Sequence, residues 1–229
     1  MDNKVRILVV VDAQNDFFEG GALPVPNSLS IIPAINELLA SSLYSEIVFT
    51  KDWHPEKHTS FAESHKVEPF TDLNGEMKWP VHCIEGTEGA MIHEDITIPV
   101  EDFLAHDETS DHYHSPISMV MYKGLDKNKE EYAPGEILND FCEDLPQDYE
   151  NDDKTPITKE DIVIDVCGLA LDYCVKNTAL AFKEIIPNVR VLMLATEGIA
   201  AESCHNALEE MREKGIEIVE ELEEEDTEE

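Results

Sequence analysis

The chain has few basic residues and no long hydrophobic run, and both shortages exclude classes of function. Lysine and arginine number 16 against 51 acidic residues, which gives a formal net charge of −35 over 229 residues. Such a charge argues against nucleic acids and anionic membranes as partners and favours a small-molecule substrate. The first apolar run, residues 7–11, is too short for a signal peptide or a membrane span.

Cysteines are also scarce. There are five, an odd number, and no two of them form a CxxC pair: Cys83, Cys142, Cys167, Cys174 and Cys204. Neither a disulfide framework nor a zinc knuckle is indicated, and a reducing compartment fits best. We therefore expect a soluble cytoplasmic protein, with the nucleus left open as a further location.

Length and composition predict one domain followed by a tail. With 42% hydrophobic residues, the chain can bury a sizeable core. Eight of the last ten residues are acidic, which is typical of a solvated, disordered segment. We expect a single domain over residues 1–219 and a disordered tail over residues 220–229.

Apolar runs alternate with amphipathic stretches along the chain. The runs predict six strands, at residues 5–11, 46–50, 118–122, 162–168, 189–195 and 216–219, with helices at residues 28–43, 200–214 and after Cys174. This alternation predicts an α/β fold, a three-layer α/β/α sandwich with a six-stranded, mostly parallel sheet. Residues 55–117 are predicted to be long loops with short elements that cover one edge of the sheet. The charged segment up to residue 161 is predicted to carry an exposed insertion near residues 142–160.

Cys174 is the candidate nucleophile. It follows a β-branched strand and Gly168, and it begins a stretch whose apolar positions Val175, Ala179 and Phe182 have helical spacing. A thiol in the first turn of a helix lies near backbone N–H groups that favour the thiolate. The alternative is a buried structural cysteine, which is the more common case for a cysteine taken alone.

Other strand ends carry polar groups that would meet Cys174 at the carboxyl edge of a parallel sheet. Asp12 and Lys123 add a carboxylate and a cation to the thiol, a set suited to attack on a carbonyl with proton transfer. A turn carboxylate and a solvated surface lysine are the plain alternatives for these two residues.

A metal site is the second candidate. Asp52 and His54 share one side of an extended segment, and His82 could complete a two-histidine, one-carboxylate set with open positions. His58 lies near enough to be a fourth ligand or a neighbour of the ligands. Surface histidines are the plain alternative.

Five segments together resemble a known family. They are VDAQNDFF at 11–18, TKDWHPEKHTSF at 50–61, KWPVHCIEGTEGA at 78–90, YKGLD at 122–126 and GLALDYCV at 168–175. In this order they resemble nicotinamidases (pyrazinamidase/nicotinamidase) of the isochorismatase-like cysteine hydrolase superfamily. The combination of DWH with WPxHC is more specific to nicotinamidases than any single motif.

The resemblance implies a role for each candidate residue. It places Asp12, Lys123 and Cys174 in a catalytic triad, and Asp52, His54 and His82 at a divalent metal, usually Zn²⁺ and sometimes Fe²⁺ or Mn²⁺. It implies an oxyanion hole at the N–H groups of Ala170 and Cys174, and a cis peptide between Leu169 and Ala170. It further implies a substrate pocket with Phe17, Trp79, Tyr132, Leu169 and Ala170.

The implied activity is hydrolysis of nicotinamide to nicotinate and ammonia in NAD salvage, through a thioester on Cys174, with pyrazinamide as a second substrate. The alternatives are another hydrolase of the superfamily, acting on an amide, carbamoyl or vinyl-ether substrate, and a catalytically silent binding protein. Assembly into a homo-oligomer stays open.

Overall fold

The computed structural model describes residues 4–98, 117–150 and 154–221. From residue 222 onward the predicted acidic tail lies outside these residues, as do residues 151–153 of the predicted insertion. Among the helices of the described part, none is long and apolar enough to cross a membrane.

The described residues form eight strands and five α-helices. The strands are β1 (Val5–Val11), β2 (Glu46–Asp52), β3 (Thr71–Leu73), β4 (Glu76–Lys78), β5 (Ile117–Lys123), β6 (Ile162–Leu169), β7 (Asn188–Glu197) and β8 (Glu217–Val219). The helices are α1 (Ile32–Ala40), α2 (Ala62–His65), α3 (Glu136–Asp148), α4 (Lys176–Lys183) and α5 (Ala201–Glu213). Short 3₁₀ turns lie at Asn15–Phe17, Ser28–Ile31, Glu88–Ala90 and Lys159–Asp161, and a π-helical turn at Leu171–Val175.

Six strands form one parallel sheet in the order β5-β2-β1-β6-β7-β8. This confirms the predicted α/β fold with its six-stranded sheet. The predicted loop region adds a separate antiparallel hairpin, β3–β4. β1 lies in the middle of the sheet, with β2 and β5 on one side and β6, β7 and β8 on the other. Because the strand order reverses direction at β1, a site is expected in the crevice beside its carboxyl end.

The central strand β1 is buried on both faces. Leu8 and Val10 belong to one hydrophobic cluster, which also contains Ile35 of α1. Val9 belongs to a second cluster, which contains Phe182 of α4. Because successive side chains of a strand point to opposite faces, the continuous apolar run of β1 supplies both clusters.

Helix α3 corrects the prediction for the charged segment. This segment was expected to carry an exposed insertion near residues 142–160, but residues 136–148 are helical, and Leu138, Phe141, Cys142 and Leu145 are buried. Their spacing is that of one helix face. Acidic residues between them and Pro146 near the end of the helix concealed this period in the sequence.

The packing of α3 is testable with a matched pair of leucines. Leu138 is fully buried, whereas Leu125 is 55% exposed. Leu138→Ala should lower the free energy of unfolding by about 2–5 kcal/mol, because it removes buried methyl groups and leaves a cavity. Leu125→Ala should cost far less in the same denaturant titration. Equal losses for the two variants would contradict the burial of α3.

Candidate active site and metal centre

Three strand ends bring the predicted catalytic residues together. Asp12 directly follows β1, Lys123 ends β5, and Cys174 lies in the turn after β6. All three are buried, with 0%, 1% and 6% of their surfaces exposed. The parallel register explains the meeting, because Val11 pairs with both Thr50 and Gly168 at the same edge of the sheet.

The ammonium group of Lys123 is the contact that joins these residues. Its Nζ lies 2.7 Å from Asp12 Oδ2 and donates a hydrogen bond to Cys174 Sγ at 3.3 Å. It also donates to Oδ1 of Asp52. The other oxygen of Asp12, Oδ1, accepts a hydrogen bond from Thr50 Oγ1 at 2.7 Å. One cation therefore holds two carboxylates and a thiol.

Burial and charge act in opposite directions on these groups. Burial raises the pKa of the Cys174 thiol well above its usual range and also raises the pKa of Asp12, with Lys123 opposing both shifts. For Lys123, burial is outweighed by the Asp12 and Asp52 carboxylates, and the pKa lies well above its usual value. The site thus holds a protonated Lys123 beside the Cys174 thiol and the Asp12 carboxyl group. Because its pKa is raised, the Asp12 carboxylate is a better proton acceptor than an ordinary aspartate.

The turn that carries Cys174 differs from the predicted α-helical first turn. Residues Leu171–Val175 form a π-helical turn, and α4 begins only at Lys176. The carbonyl oxygen of Ala170 accepts hydrogen bonds from the N–H groups of Tyr173 and Val175 at 3.0 and 3.1 Å. The peptide bond between Leu169 and Ala170 is cis, as the resemblance implied.

Gly168 permits the close approach of β6 to β1 before this turn. Its φ is +115°, and a Cβ atom at this position would overlap the carbonyl oxygen of Val11. Only glycine meets both conditions without strain. Gly168 is therefore required for the close packing of β6 on β1, which places Cys174 beside Asp12.

The three predicted metal ligands also converge. Asp52 Oδ2 lies 3.5 Å from His54 Nε2 and 3.7 Å from His82 Nε2. One ligand atom from each residue lies within 4.8 Å of the other two. All three side chains are buried. Two imidazoles and one carboxylate with this spacing fit a divalent transition metal such as zinc.

The second nitrogen of each imidazole faces a backbone carbonyl. His54 Nδ1 lies 3.1 Å from the oxygen of Gly124, and His82 Nδ1 lies 2.7 Å from the oxygen of Pro80. Because a carbonyl oxygen can only accept a hydrogen bond, these contacts favour the tautomer with the proton on Nδ1. Nε2 is then the unprotonated nitrogen, and it faces Asp52. The arrangement is typical of metal-binding histidines, since such partners orient the ring and increase its basicity.

His58 is placed as a neighbour of the ligands. Its ring stacks on that of His54 at a centroid distance of 4.2 Å. Its Nδ1 lies 2.7 Å from Ser60 Oγ, and its Nε2 lies 2.9 Å from the oxygen of Lys129. With both nitrogens occupied, it supports His54 and does not complete the ligand set. Burial and the nearby His54 lower the pKa of His58 to about 4, so the ring is neutral at pH 7.

A pocket joins Cys174 to the three predicted metal ligands. It is lined by Phe17, Leu23, Asp52, His54, Trp79, His82, Glu130, Tyr132, Ala170, Tyr173, Cys174 and Ile199. Four of the five predicted substrate-binding residues are in this lining. The fifth, Leu169, is fully buried in the hydrophobic core behind Ala170 and does not line the pocket.

Aromatic rings form one wall of this pocket. Trp79 Nε1–H donates a hydrogen bond to the Tyr132 hydroxyl at 3.3 Å, which fixes the plane of the indole ring. Tyr173 meets Trp79 edge-to-face, with centroids 4.8 Å apart. Sequence reasoning missed Tyr173, although its place beside Cys174 in the turn was a signal. The wall is suited to a flat aromatic ligand.

Sequence reasoning also missed Glu130. Its side chain lines the pocket, and its Oε2 is buried without a hydrogen-bond partner among the described residues. Burial and the Asp52 carboxylate raise the pKa of Glu130, while nearby His54 opposes the shift. A glutamate in a charged loop gave no local sign of this position.

The comparisons with known proteins agree with this geometry. The isochorismatase domain family matches residues 6–120. The nicotinamidase of Escherichia coli is 33% identical over 204 residues, which cover 85% of this chain and 84% of the relative. The chain therefore belongs to the isochorismatase family.

Solved structures show the same fold. The pyrazinamidase of Pyrococcus horikoshii in complex with zinc is 30% identical, with a TM-score of 0.67 over 94% of this chain and 99% of that one. The yeast nicotinamidase bound to the inhibitor nicotinaldehyde is 26% identical, with a TM-score of 0.72 over 95% of this chain and all of that one (100%).

Gly124 provides a test of the metal centre. Its φ is +68°, and a Cβ atom added there would overlap the imidazole ring of His54. Gly124→Ala should displace this ring and weaken zinc binding by about 10–100-fold, the range seen when groups that orient a ligand are lost. Competition between the protein and a chromophoric chelator measures the affinity.

The matched control is Gly75→Ala, where φ is also positive, at +90°, but no heavy atom lies within 4 Å of the added Cβ. It introduces a similar backbone strain without a clash and should leave zinc affinity unchanged. Wild-type zinc affinity in Gly124→Ala would show that His54 is not a ligand.

Proposed function

We propose that this protein is a nicotinamidase, a cysteine amidohydrolase that converts nicotinamide and water to nicotinate and ammonia. The observation that carries the proposal is the contact of Lys123 Nζ with both Asp12 and Cys174, beside a pocket that also contains Asp52, His54 and His82. The names of the relatives support it: a nicotinamidase in E. coli and in yeast, and a pyrazinamidase in P. horikoshii. The reaction would serve NAD salvage.

In the first half of the reaction, Cys174 attacks the carboxamide carbon. The thiol proton passes to Asp12 as the S–C bond forms, and Lys123 stabilises the anions that lie around it. The N–H groups of Ala170 and Cys174 are proposed to hold the oxyanion. When the intermediate collapses, the C–N bond breaks, and Asp12 returns the proton to the leaving nitrogen, which departs as ammonia.

In the second half, water hydrolyses the thioester. Asp12, again a carboxylate, takes a proton from the water as its oxygen attacks the acyl carbon. The C–S bond breaks, and Cys174 recovers its proton from Asp12. The Asp12 carboxylate thus acts as base and acid in both halves. Burial raises its pKa and Lys123 opposes this shift, and this balance suits a group that both takes up and releases a proton.

Asp52, His54 and His82 are proposed to hold the divalent metal, with Zn²⁺ favoured and Fe²⁺ or Mn²⁺ as alternatives. When bound, the ion would supply a Lewis acid for the ring nitrogen of the substrate. The zinc complex of the P. horikoshii relative supports this assignment. Phe17 and Trp79 would flank the ring, and Tyr132 would fix Trp79 through its hydrogen bond.

We also propose a single hydrolase domain over residues 1–219 and a cytoplasmic location. All strands of the sheet come from residues 1–219, which supports a single hydrolase domain. A cytoplasmic location suits the five cysteines, since all of them are free thiols.

Ammonia release from nicotinamide by the purified protein tests the function. Wild type should release ammonia, and Cys174→Ala should reduce the rate to background, because no nucleophile remains. Asp12→Asn should lower kcat by about 10²–10⁴-fold, because an amide cannot accept the thiol proton. Circular dichroism and bound zinc confirm that both variants are folded. Near wild-type turnover in Asp12→Asn would reject the proton-transfer scheme.

Substrate analogues test the role of the ring nitrogen. Pyrazinamide keeps a nitrogen in the position required to reach the metal site and should be hydrolysed. Benzamide keeps the carboxamide but has no ring nitrogen, so it should be a very poor substrate even when zinc is bound. Chelation should abolish turnover and weaken nicotinate binding together. Comparable kcat/KM values for benzamide and nicotinamide would contradict this role.

A further inference from the structure

Gln14 holds the backbone of the proposed metal ligand Asp52. The Gln14 side chain is fully buried. Its Nε2 donates hydrogen bonds to the carbonyl oxygens of Asp52 and Ala90 at 2.7 and 2.9 Å, and its Oε1 accepts one from the N–H of Asp52 at 2.8 Å. The paired register of β1 and β2 ends at Val11 and Thr50. On its other side Asp52 pairs with Lys123 of β5, so the Gln14 carboxamide takes the place of a partner on the β1 side only.

Asp16 holds the segment that carries the other ligand, His82. Its Oδ2 accepts a hydrogen bond from the N–H of Cys83 at 2.7 Å, and its Oδ1 accepts one from the N–H of Ala22 at 3.2 Å. The carbonyl of Cys83 in turn accepts a hydrogen bond from the N–H of His54 at 2.9 Å. Asp16 therefore fixes the segment that contains His82 and pairs with His54.

We propose that Gln14 and Asp16 are positioning residues for the divalent metal, holding Asp52 and His82 at the spacing that the ion requires. The inference rests on the proposed metal site and adds a second task to the loop that supplies Asp12. Because Gln14 and Asp16 bond to the backbone at Asp52 and Cys83, a change at either residue should alter metal affinity without touching a ligand atom.

Asn15 is the matched control within the same loop. It lies between the two positioning residues, and its Nδ2 donates a hydrogen bond to the carbonyl of Glu88 at 2.8 Å. That bond ends in the 3₁₀ turn Glu88–Ala90 and reaches neither Asp52 nor the backbone at Cys83. A role in loop stability alone would make Asn15 as important for zinc binding as its neighbours.

The test is a zinc titration of metal-free protein against a chromophoric chelator, for wild type, Gln14→Met, Asp16→Ala and Asn15→Ala. Gln14→Met and Asp16→Ala should each raise the zinc Kd by about 10–100-fold, because groups that orient ligands contribute on that scale. Asn15→Ala should bind zinc as wild type does. The unfolding midpoint of each metal-free protein is measured alongside.

A lower unfolding midpoint combined with wild-type zinc affinity in both variants would overturn the proposal and leave a purely structural role. Asp16 is only half-buried, so Asp16→Ala decides the question if Gln14→Met does not fold. A wild-type protein that binds no zinc would also overturn it. Nicotinamide hydrolysis is measured separately, so a failure of the proposed activity is distinguishable from a failure of this inference.

Discussion

The buried ammonium of Lys123 is the interaction on which the rest of the site depends. Moving a charge out of water costs several kcal/mol, and only well-placed opposite charges offset that cost. Asp12 and Asp52 supply them from the ends of β1 and β2, the two strands nearest to β5 in the sheet. Lys123 in turn lowers the pKa of both carboxyl groups, against the effect of burial. The three charges therefore stabilise one another, and their contacts join three strand ends.

Asp52 joins the proposed nucleophile, Cys174, to the proposed metal site through its two carboxylate oxygens. Its Oδ1 accepts from Lys123, and its Oδ2 faces the imidazoles of His54 and His82. Burial alone would raise the pKa of Asp52, but Lys123 and His54 outweigh it, and the pKa lies well below its usual range. An ionised Asp52 carboxylate is needed both to pair with Lys123 and to act as the proposed metal ligand. A substitution of Asp52 would consequently disturb both halves of the site at once.

The order of strands explains why the groups can meet. β5, β2, β1 and β6 are adjacent and parallel, so their carboxyl ends lie along one edge. The register then sets the details: Asp52 pairs with Lys123, and Val11 pairs with Gly168. His54 and His82, the histidines proposed to bind the metal, come from the loops beyond this edge, and the sheet supports these loops.

The sequence by itself determined the sheet and the residues at its edge. Continuous apolar runs define buried parallel strands, and the polar residues at their C-terminal ends, such as Asp12 and Asp52, lie at the carboxyl edge. The motif around Gly168 and Cys174 followed from the same local pattern. These features depend on residues that are close together in the sequence, so hydrophobic periodicity and turn-forming residues predict them well.

Only the tertiary structure decided the contacts between distant segments. Lys123 and Asp52 are 71 residues apart, and Gln14 and Asp52 are 38 apart; no local pattern records such pairs. The same holds for Glu130 in the pocket and for Nε2 of His58, whose partner is the carbonyl oxygen of Lys129, 71 residues away. Helix α3 was missed because acidic residues interrupt its apolar face, and its packing against the core outweighs that weak local signal. Side-chain hydrogen bonds and charge pairing act through space, so they are fixed only once the chain has folded.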